Sequence, residues 1–129
     1  MKITRTFAPA ALAMTAILVA TAAPAMAKDG RVTSSGSCTG AATWTMKASP
    51  ENGRIEVEAE VDSNRNGQAW AWTMTHNGAG AIHGTGTTRA PSGSFEVRRV
   101  LGNLGGQDTF AFTARRTGTN QICRGILHF

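Results

Sequence analysis

One segment of the chain has the residue types of a calcium-binding loop. The run of six residues that begins at Asp62 matches the opening of the pattern D-x-[DN]-x-[DN]-G. In that pattern alternate side-chain oxygens, here those of Asp62, Asn64 and Asn66, face one cation. An EF-hand also needs a bidentate glutamate at its twelfth position, where this chain has Thr73, and Arg65 adds a positive charge beside the ligands. The segment therefore predicts either a calcium site or an ordinary Asn-Gly-rich connection between strands.

Three tryptophans, Trp44, Trp70 and Trp72, are candidates for contact with a ligand. An exposed indole can stack on the sugar rings of a cell-envelope polymer or anchor a protein partner. A buried indole instead forms the centre of a small core, because it contributes a large apolar area. The chain has few other large apolar residues, so the sequence favours the core for all three. An exposed aromatic platform, with Trp44 and Trp70 as its ligand-binding residues, is the alternative.

Two arginine-bearing turns are candidates for contact with a partner protein. Arg89 precedes Pro91, and a proline preorganises a loop for binding. Arg115 and Arg116 lie beside a polar turn at 117–120. A rigid loop of this kind suits an exported inhibitor or effector of a foreign protein.

The remaining polar residues give little support for catalysis or nucleic-acid binding. Three histidines are far apart and lack metal-ligand spacing, and no G-x-S-x-G elbow occurs. Glu56, Glu58 and Glu60 form a row on one face of a predicted strand, which is more typical of a solvated face than of a glycosidase pair. No Lys/Arg cluster exceeds two residues. The sequence therefore predicts a protein that is not an enzyme, binds no nucleic acid and has no cofactor apart from the possible calcium.

The elements that position these residues are predicted to be β-strands. In residues 54–63 apolar and acidic side chains alternate without a break, which indicates a strand with one face on the core and one in water. Six further segments alternate in a similar way: 39–48, 68–76, 81–88, 94–100, 109–115 and 122–129. Turn residues separate the segments, and none has helical spacing. About seven short strands in about a hundred residues predict an all-β, antiparallel β-sandwich of immunoglobulin-like size, with a small closed barrel as the alternative.

The Trp strand has two possible partners in this scheme. An Asn-Gly pair at 77–78 has the residues of a two-residue hairpin turn, which would place Trp72 opposite His83 and Trp70 opposite Thr85. If the Trp strand also formed a hairpin with 54–63, a symmetric turn would put the tryptophans on the acidic face, and a one-residue bulge would reverse this. If those two strands lie in different sheets, both apolar faces point inward.

The first 27 residues have the three parts of a secretory signal peptide. Lys2 and Arg5 form the positive start, 7–23 the apolar run, and Ala25-Met26-Ala27 the small-x-small cleavage site. The sequence therefore predicts a protein secreted through a cleaved Sec-type signal at 1–27, without stable membrane insertion. Residues 28–37 are predicted to be a flexible lead-in, with an edge strand as the alternative. A single domain is predicted over 38–129.

Cys38 and Cys123 are the only cysteines, and they enclose almost all of that domain. In an oxidising compartment a pair of this kind is typical of one intramolecular disulfide. A metal pair, a catalytic thiol and an intermolecular bridge are the alternatives.

Four short runs resemble the layout of a loose group of small secreted proteins from high-GC Gram-positive bacteria. They are Cys38-Thr39-Gly40, the run 63–68 leading to Trp72, His76-Asn77-Gly78 and Cys123-Arg124-Gly125. The resemblance covers the mature domain and implies export and one disulfide. It implies no activity and no functional residues.

Together these observations predict a secreted, non-enzymatic binding domain whose ligand is a cell-envelope polymer or a secreted protein. The chain is expected to be a monomer. An inhibitor or effector of a foreign protein and a calcium-stabilised structural domain are the alternatives.

Overall fold

The computed structural model describes residues 30–129, so the predicted signal peptide and residues 28 and 29 lie outside the described residues. The described part of the chain is all-β, as predicted, with eight strands rather than seven. The strands are β1 (Val32–Ser37), β2 (Thr43–Glu51), β3 (Arg54–Asp62), β4 (Ala69–His76), β5 (Ala79–Thr87), β6 (Ser94–Gly102), β7 (Thr109–Arg116) and β8 (Ile122–His128). Within 30–129 no helix is long and apolar enough to cross a bilayer.

The strands form two four-stranded antiparallel sheets. One sheet has the order β1-β2-β3-β6 and the other the order β5-β4-β7-β8. The connections β3–β4, β5–β6 and β6–β7 therefore pass from one sheet to the other. This pairing of β3 with β6 and of β4 with β7 has the form of an immunoglobulin-like sandwich. Because each sheet keeps two edges, the alternative of a closed barrel is wrong.

The eighth strand is the segment predicted to be a flexible lead-in, and for residues 32–37 that prediction is wrong. β1 pairs antiparallel with β2, with Val32 opposite Ala48 and Ser37 opposite Thr43. An edge strand of this kind is held by main-chain hydrogen bonds and needs few apolar side chains of its own. Gly36 also lies close against the Trp44 indole, because a Cβ added there would lie 2.9 Å from the ring. The alternative of an edge strand is correct.

The core lies between the sheets and is built from the inward-facing residues of alternating strands. β3 contributes Ile55, Val57, Ala59 and Val61, while its acidic residues lie on the outer face. β3 and β4 lie in different sheets, so no hairpin forms between them and both apolar faces point inward. The largest fully buried side chains opposite β3 are Trp70, Met74, Phe110, Phe112 and Leu127.

The β4–β5 hairpin has the expected turn but not the expected register. Asn77 and Gly78 both have positive φ (50° and 77°), as a two-residue hairpin turn requires. A bulge follows the turn, with two residues of β5 against one of β4 between the pairs His76–Ala79 and Met74–Ile82. As a result Trp72 lies opposite Gly84, and Trp70 opposite Gly86, rather than opposite His83 and Thr85.

The predicted disulfide between Cys38 and Cys123 is present, with their Cα atoms 4.3 Å apart. It joins the chain just after β1 to β8, and therefore links the two sheets along one long side. The Thr39 N–H donates to the carbonyl of Ile122 on the same side (2.9 Å). Along the opposite long side the two sheet edges are β5 and β6, which form no ladder with each other.

Candidate functional site

Four connections meet at one end of the sandwich, which we call the loop end: 38–42, 63–68, 88–93 and 117–121. Main-chain hydrogen bonds hold them together. Ser63 N–H donates to Gly93 O (3.0 Å) and Gly67 N–H donates to Thr88 O (2.7 Å). Thr117 N–H donates to Ala69 O (2.9 Å). The calcium-like segment, the Arg89 loop and the Arg116 turn, which are distant in the sequence, therefore lie at the same end.

The loop end gathers most of the arginines singled out from the sequence. Arg65 and Arg116 line one shared pocket, and Arg89 lines a neighbouring groove. Arg115 does not join them, because it occupies the outer face of its sheet, opposite Ala71 and exposed. From the sequence alone, Arg65 is notable only as a positive charge that disfavours calcium binding. Inward-facing and outward-facing residues alternate along β7, so Arg115 and Arg116 lie on opposite faces of the sheet. This alternation is visible in the sequence and could have distinguished the two arginines.

The shared pocket is open to solvent and has a volume of about 630 Å³. The residues that line it come from three of the four connections: Thr39, Gly40, Ala41, Ser63, Arg65, Gln68, Arg116, Thr119, Asn120 and Gln121. Gln68 is 9 % exposed, and its side-chain oxygen has no hydrogen-bond partner. The pocket therefore presents the side chains of two arginines, whereas the buried Gln68 oxygen is not exposed in it.

The position of Arg65 is fixed by hydroxyl groups that bind its carbonyl. Thr88 Oγ1 donates to Arg65 O (2.5 Å), and Ser63 Oγ lies 3.2 Å from the same oxygen. Gln68 N–H in turn donates to Thr88 Oγ1 (2.9 Å). Gly93 packs on this segment so closely that a Cβ there would lie 2.3 Å from Arg65 N. Because the backbone is held from two sides, the Arg65 side chain projects from a rigid turn.

The loop end carries more positive than negative charge, and its arginines bind no carboxylate. Within residues 30–129, Arg65, Arg89 and Arg116 form no ion pair, whereas Arg98 on the outer face of β6 binds Glu56 (2.7 Å). That hydrogen bond, together with the charge of Glu56, raises the pKa of Arg98 above its usual value. The acidic row of β3 is thus partly neutralised on its own face, and the charge of the loop-end arginines remains available to a ligand.

The predicted calcium ligands form the tip of the β3–β4 connection. Asp62 Oδ1 accepts the N–H of Asn64 (2.8 Å), and Asn64 has positive φ (57°). Asn64 and Asn66 are both exposed. These features are those of a turn in which an aspartate caps the backbone two residues on. No group of three or more His, Cys, Asp or Glu side chains lies together within 30–129, and the calcium site stays a prediction.

The tryptophans do not form an exposed platform. Trp44, Trp70 and Trp72 are 7 %, 0 % and 4 % exposed, so the prediction of Trp44 and Trp70 as ligand-binding residues is wrong. The reason is that β3 and β4 belong to different sheets, which turns the faces of both strands inward. The preference for the core is confirmed for all three. The Arg99 guanidinium lies 5.1 Å from the centroid of the Trp72 ring.

A buried carboxylate–histidine pair lies at the opposite end of the sandwich and was not predicted. Asp108 is fully buried, and its Oδ1 lies 2.5 Å from His76 Nε2 and 3.3 Å from Leu104 N, which donates to it. The His76 ring stacks on Phe110 (centroids 4.5 Å apart). The two residues are 32 positions apart in the sequence and belong to no motif, so no local signal reveals them.

The fold and the loop-end pocket together have the form of a small sandwich that presents connecting loops at one end. No protein-family model, curated protein or solved structure matches the chain.

Proposed function

We propose that this chain is an exported, non-enzymatic binding domain that recognises an anionic ligand at its loop end. The observation that carries the proposal is the pair Arg65 and Arg116, which line one pocket without any carboxylate partner in the described chain. The ligand is an anionic cell-envelope polymer or an acidic surface of a secreted protein. The disulfide is consistent with export to an oxidising compartment.

The chemistry of the pocket favours an anion. A guanidinium presents several N–H donors in a fixed fork and binds carboxylate or phosphate in a bidentate manner. Because a rigid turn already holds Arg65, little ordering free energy is lost when the ligand binds.

The test is affinity capture from envelope fragments and culture supernatant with the oxidised protein as bait. Arg65→Ala combined with Arg116→Ala is expected to abolish specific retention, and Arg124→Ala is the matched control, since Arg124 is exposed on the outer face of β8. Retention should also fall with added salt, because the contact is between exposed charges. Retention that survives the double substitution would contradict the proposal.

A second candidate function is that of an inhibitor or effector that inserts the Arg89 loop into a foreign protein. The observation that favours it is the closure of this loop on itself: Arg89 N–H donates to Ser94 O and Gly93 N–H donates to Arg89 O, both at 2.9 Å. Such a loop is preorganised. Loss of partner binding in Arg89→Ala, with binding retained in the Arg65 and Arg116 variants, would favour this function over the first.

A further inference from the structure

The four sheet edges of this sandwich differ in how they are protected against pairing with another chain. Natural β-proteins shield an edge by shortening it, by covering it, or by placing charges and proline on it. β1 has only six residues, and β8 lies against β1 and β2 on the side closed by the disulfide. β6 carries Arg99 at an inward-facing position, and its guanidinium covers the Trp72 ring.

β5 has none of these protections, and its bulge lies near its start, at Gly80 and Ala81. It has nine residues, Ala79–Thr87, with no Lys, Arg, Asp, Glu or Pro among them. Within 30–129 its outer edge pairs with no strand. A long, uncharged and unpaired edge is a template for an added strand.

The direction of the free hydrogen-bonding groups follows from the β4–β5 ladder. Thr88 N–H donates to Gln68 O, and Thr88 O accepts from Gly67 N–H. The main-chain N–H and C=O groups of Thr88 therefore point toward β4 and the connection before it. Residues of an antiparallel pair direct their N–H and C=O groups alternately toward and away from the partner. The main-chain groups of Thr87, Thr85 and His83 therefore point away from β4 and form a row of free donors and acceptors.

The groove beside this edge supplies a second observation. It has a volume of about 690 Å³ and lies between the β5 and β6 edges, and we call it the open seam. Arg89 and Arg99 line it, with Glu96 as the one acidic residue. Glu96 lies directly opposite Glu60 on the outer face of the β1-β2-β3-β6 sheet, so its carboxylate does not face into the open seam. The charge that faces into the open seam is therefore positive.

Glycines on β5 let an added strand approach the core. Gly84 and Gly86 are inward-facing, and a Cβ on them would lie 2.8 Å from Trp72 and 2.3 Å from the Phe95 ring. No β5 side chain therefore stands between these aromatic rings and the seam. The inward-facing side chains of a ninth strand would lie beside the rings, within reach of Arg99.

We infer that the outer edge of β5 binds an extended, carboxylate-bearing peptide segment as a ninth strand of the β5-β4-β7-β8 sheet. Main-chain hydrogen bonds to His83, Thr85 and Thr87 supply the pairing, and Arg89 and Arg99 select acidic side chains that point into the seam. The site uses neither Arg65 nor Arg116, so it is separate from the loop-end pocket.

Amide hydrogen exchange tests this site directly, with an octapeptide of alternating threonine and glutamate as the probe. In the free oxidised protein the amides of His83, Thr85 and Thr87 should exchange fast, because they lie outside the ladder. At millimolar peptide concentration their exchange should slow by roughly tenfold or more, while the loop-end amides stay unchanged. The peptide of alternating threonine and lysine should protect them much less.

Two substitutions separate strand addition from other binding. Thr85→Pro removes one outward donor, and proline is tolerated on an edge where its missing N–H faces solvent. It should abolish protection at His83 and Thr87. Thr85→Val keeps the N–H and should bind as the parent does, so it remains informative if the proline variant does not fold.

Several outcomes would overturn the inference. They are no protection at any concentration of the glutamate peptide, equal protection by both peptides, and undiminished protection in a folded Thr85→Pro variant. Protection that appears with rising protein concentration and no peptide would show that a second copy of the chain occupies the edge instead. Because Arg65→Ala and Arg116→Ala should leave the protection unchanged, failure of the loop-end proposal is recognised separately.

Discussion

At the scale of single residues, the strand glycines set how closely the two sheets approach. Gly125 of β8 lies over the side chains of Trp44 and Met46, and a Cβ there would lie 2.8 Å from the indole and 2.9 Å from the sulfur. Both side chains are buried, so neither can move aside without disturbing the core. The glycine is therefore required for packing and not for its backbone freedom.

Gly125→Ala is expected to destabilise the fold by about 1–3 kcal/mol, since an added methyl group overpacks a filled core. The measurement is the midpoint of urea unfolding, followed by tryptophan fluorescence. Gly102→Ala is the matched control, because its Cβ would meet no atom within 4 Å. That change should stay within about 0.5 kcal/mol of the parent. Equal effects of the two substitutions would contradict this account of Gly125.

The calcium hypothesis also belongs to single residues. A cation held by Asp62, Asn64 and Asn66 would raise the melting temperature when calcium is added and lower it with a chelator. An unchanged melting temperature in both conditions would leave Asp62 as the cap of a turn.

At the scale of elements, the β6–β7 connection is anchored to β4 by one buried carboxylate. Asp108 binds the side chain of His76 and the backbone of Leu104, and its own N–H and C=O pair with Phe129 at 2.9 and 2.8 Å. One residue therefore fixes the connection, the end of β4 and the end of the chain.

Asp108→Asn is expected to destabilise the fold by about 1–3 kcal/mol, because the amide oxygen is uncharged and accepts weaker hydrogen bonds from its buried partners than the carboxylate does. Thermal unfolding measures the loss, and hydrogen exchange at Leu104 N–H shows whether it begins in the connection. Asp62→Asn is the matched control, since the Asp62 carboxylate caps an exposed turn. A loss as large in the control would show that the effect does not depend on burial.

The strands also show how much of the fold could be predicted from the sequence. Alternation locates the strands because it reflects one dry and one wet face of each strand. It cannot place β1, whose polar residues are held by main-chain hydrogen bonds, or the bulge at Gly80, which shifts β5 by one residue. The loop-end pocket could be predicted only in part, because Arg65 and Arg116 meet through the order of strands across two sheets. His76 and Asp108 are brought together in the same non-local way.

At the scale of the whole molecule, the disulfide closes a loop of 85 residues. The Cys38→Ser and Cys123→Ser double variant is expected to lose about 4–5 kcal/mol, since the unfolded chain regains the entropy of that loop. Denaturant unfolding measures the loss. Reductant should destabilise the parent by a similar amount and leave the variant unchanged. If reductant does not change the free energy of unfolding of the parent, the expected contribution of the disulfide is contradicted.

The same bond gives the molecule a mechanical asymmetry. The disulfide and the hydrogen bonds between Thr39 and Ile122 join the two sheets along one long side of the domain. On the opposite long side β5 and β6 are joined at the loop end by 88–93 but form no ladder, and side-chain contacts such as that of Trp70 with Phe95 (ring centroids 6.4 Å apart) link the sheets. We therefore expect partial opening of the domain to begin on the β5–β6 side, away from the disulfide, and to expose the aromatic residues of the core on that side.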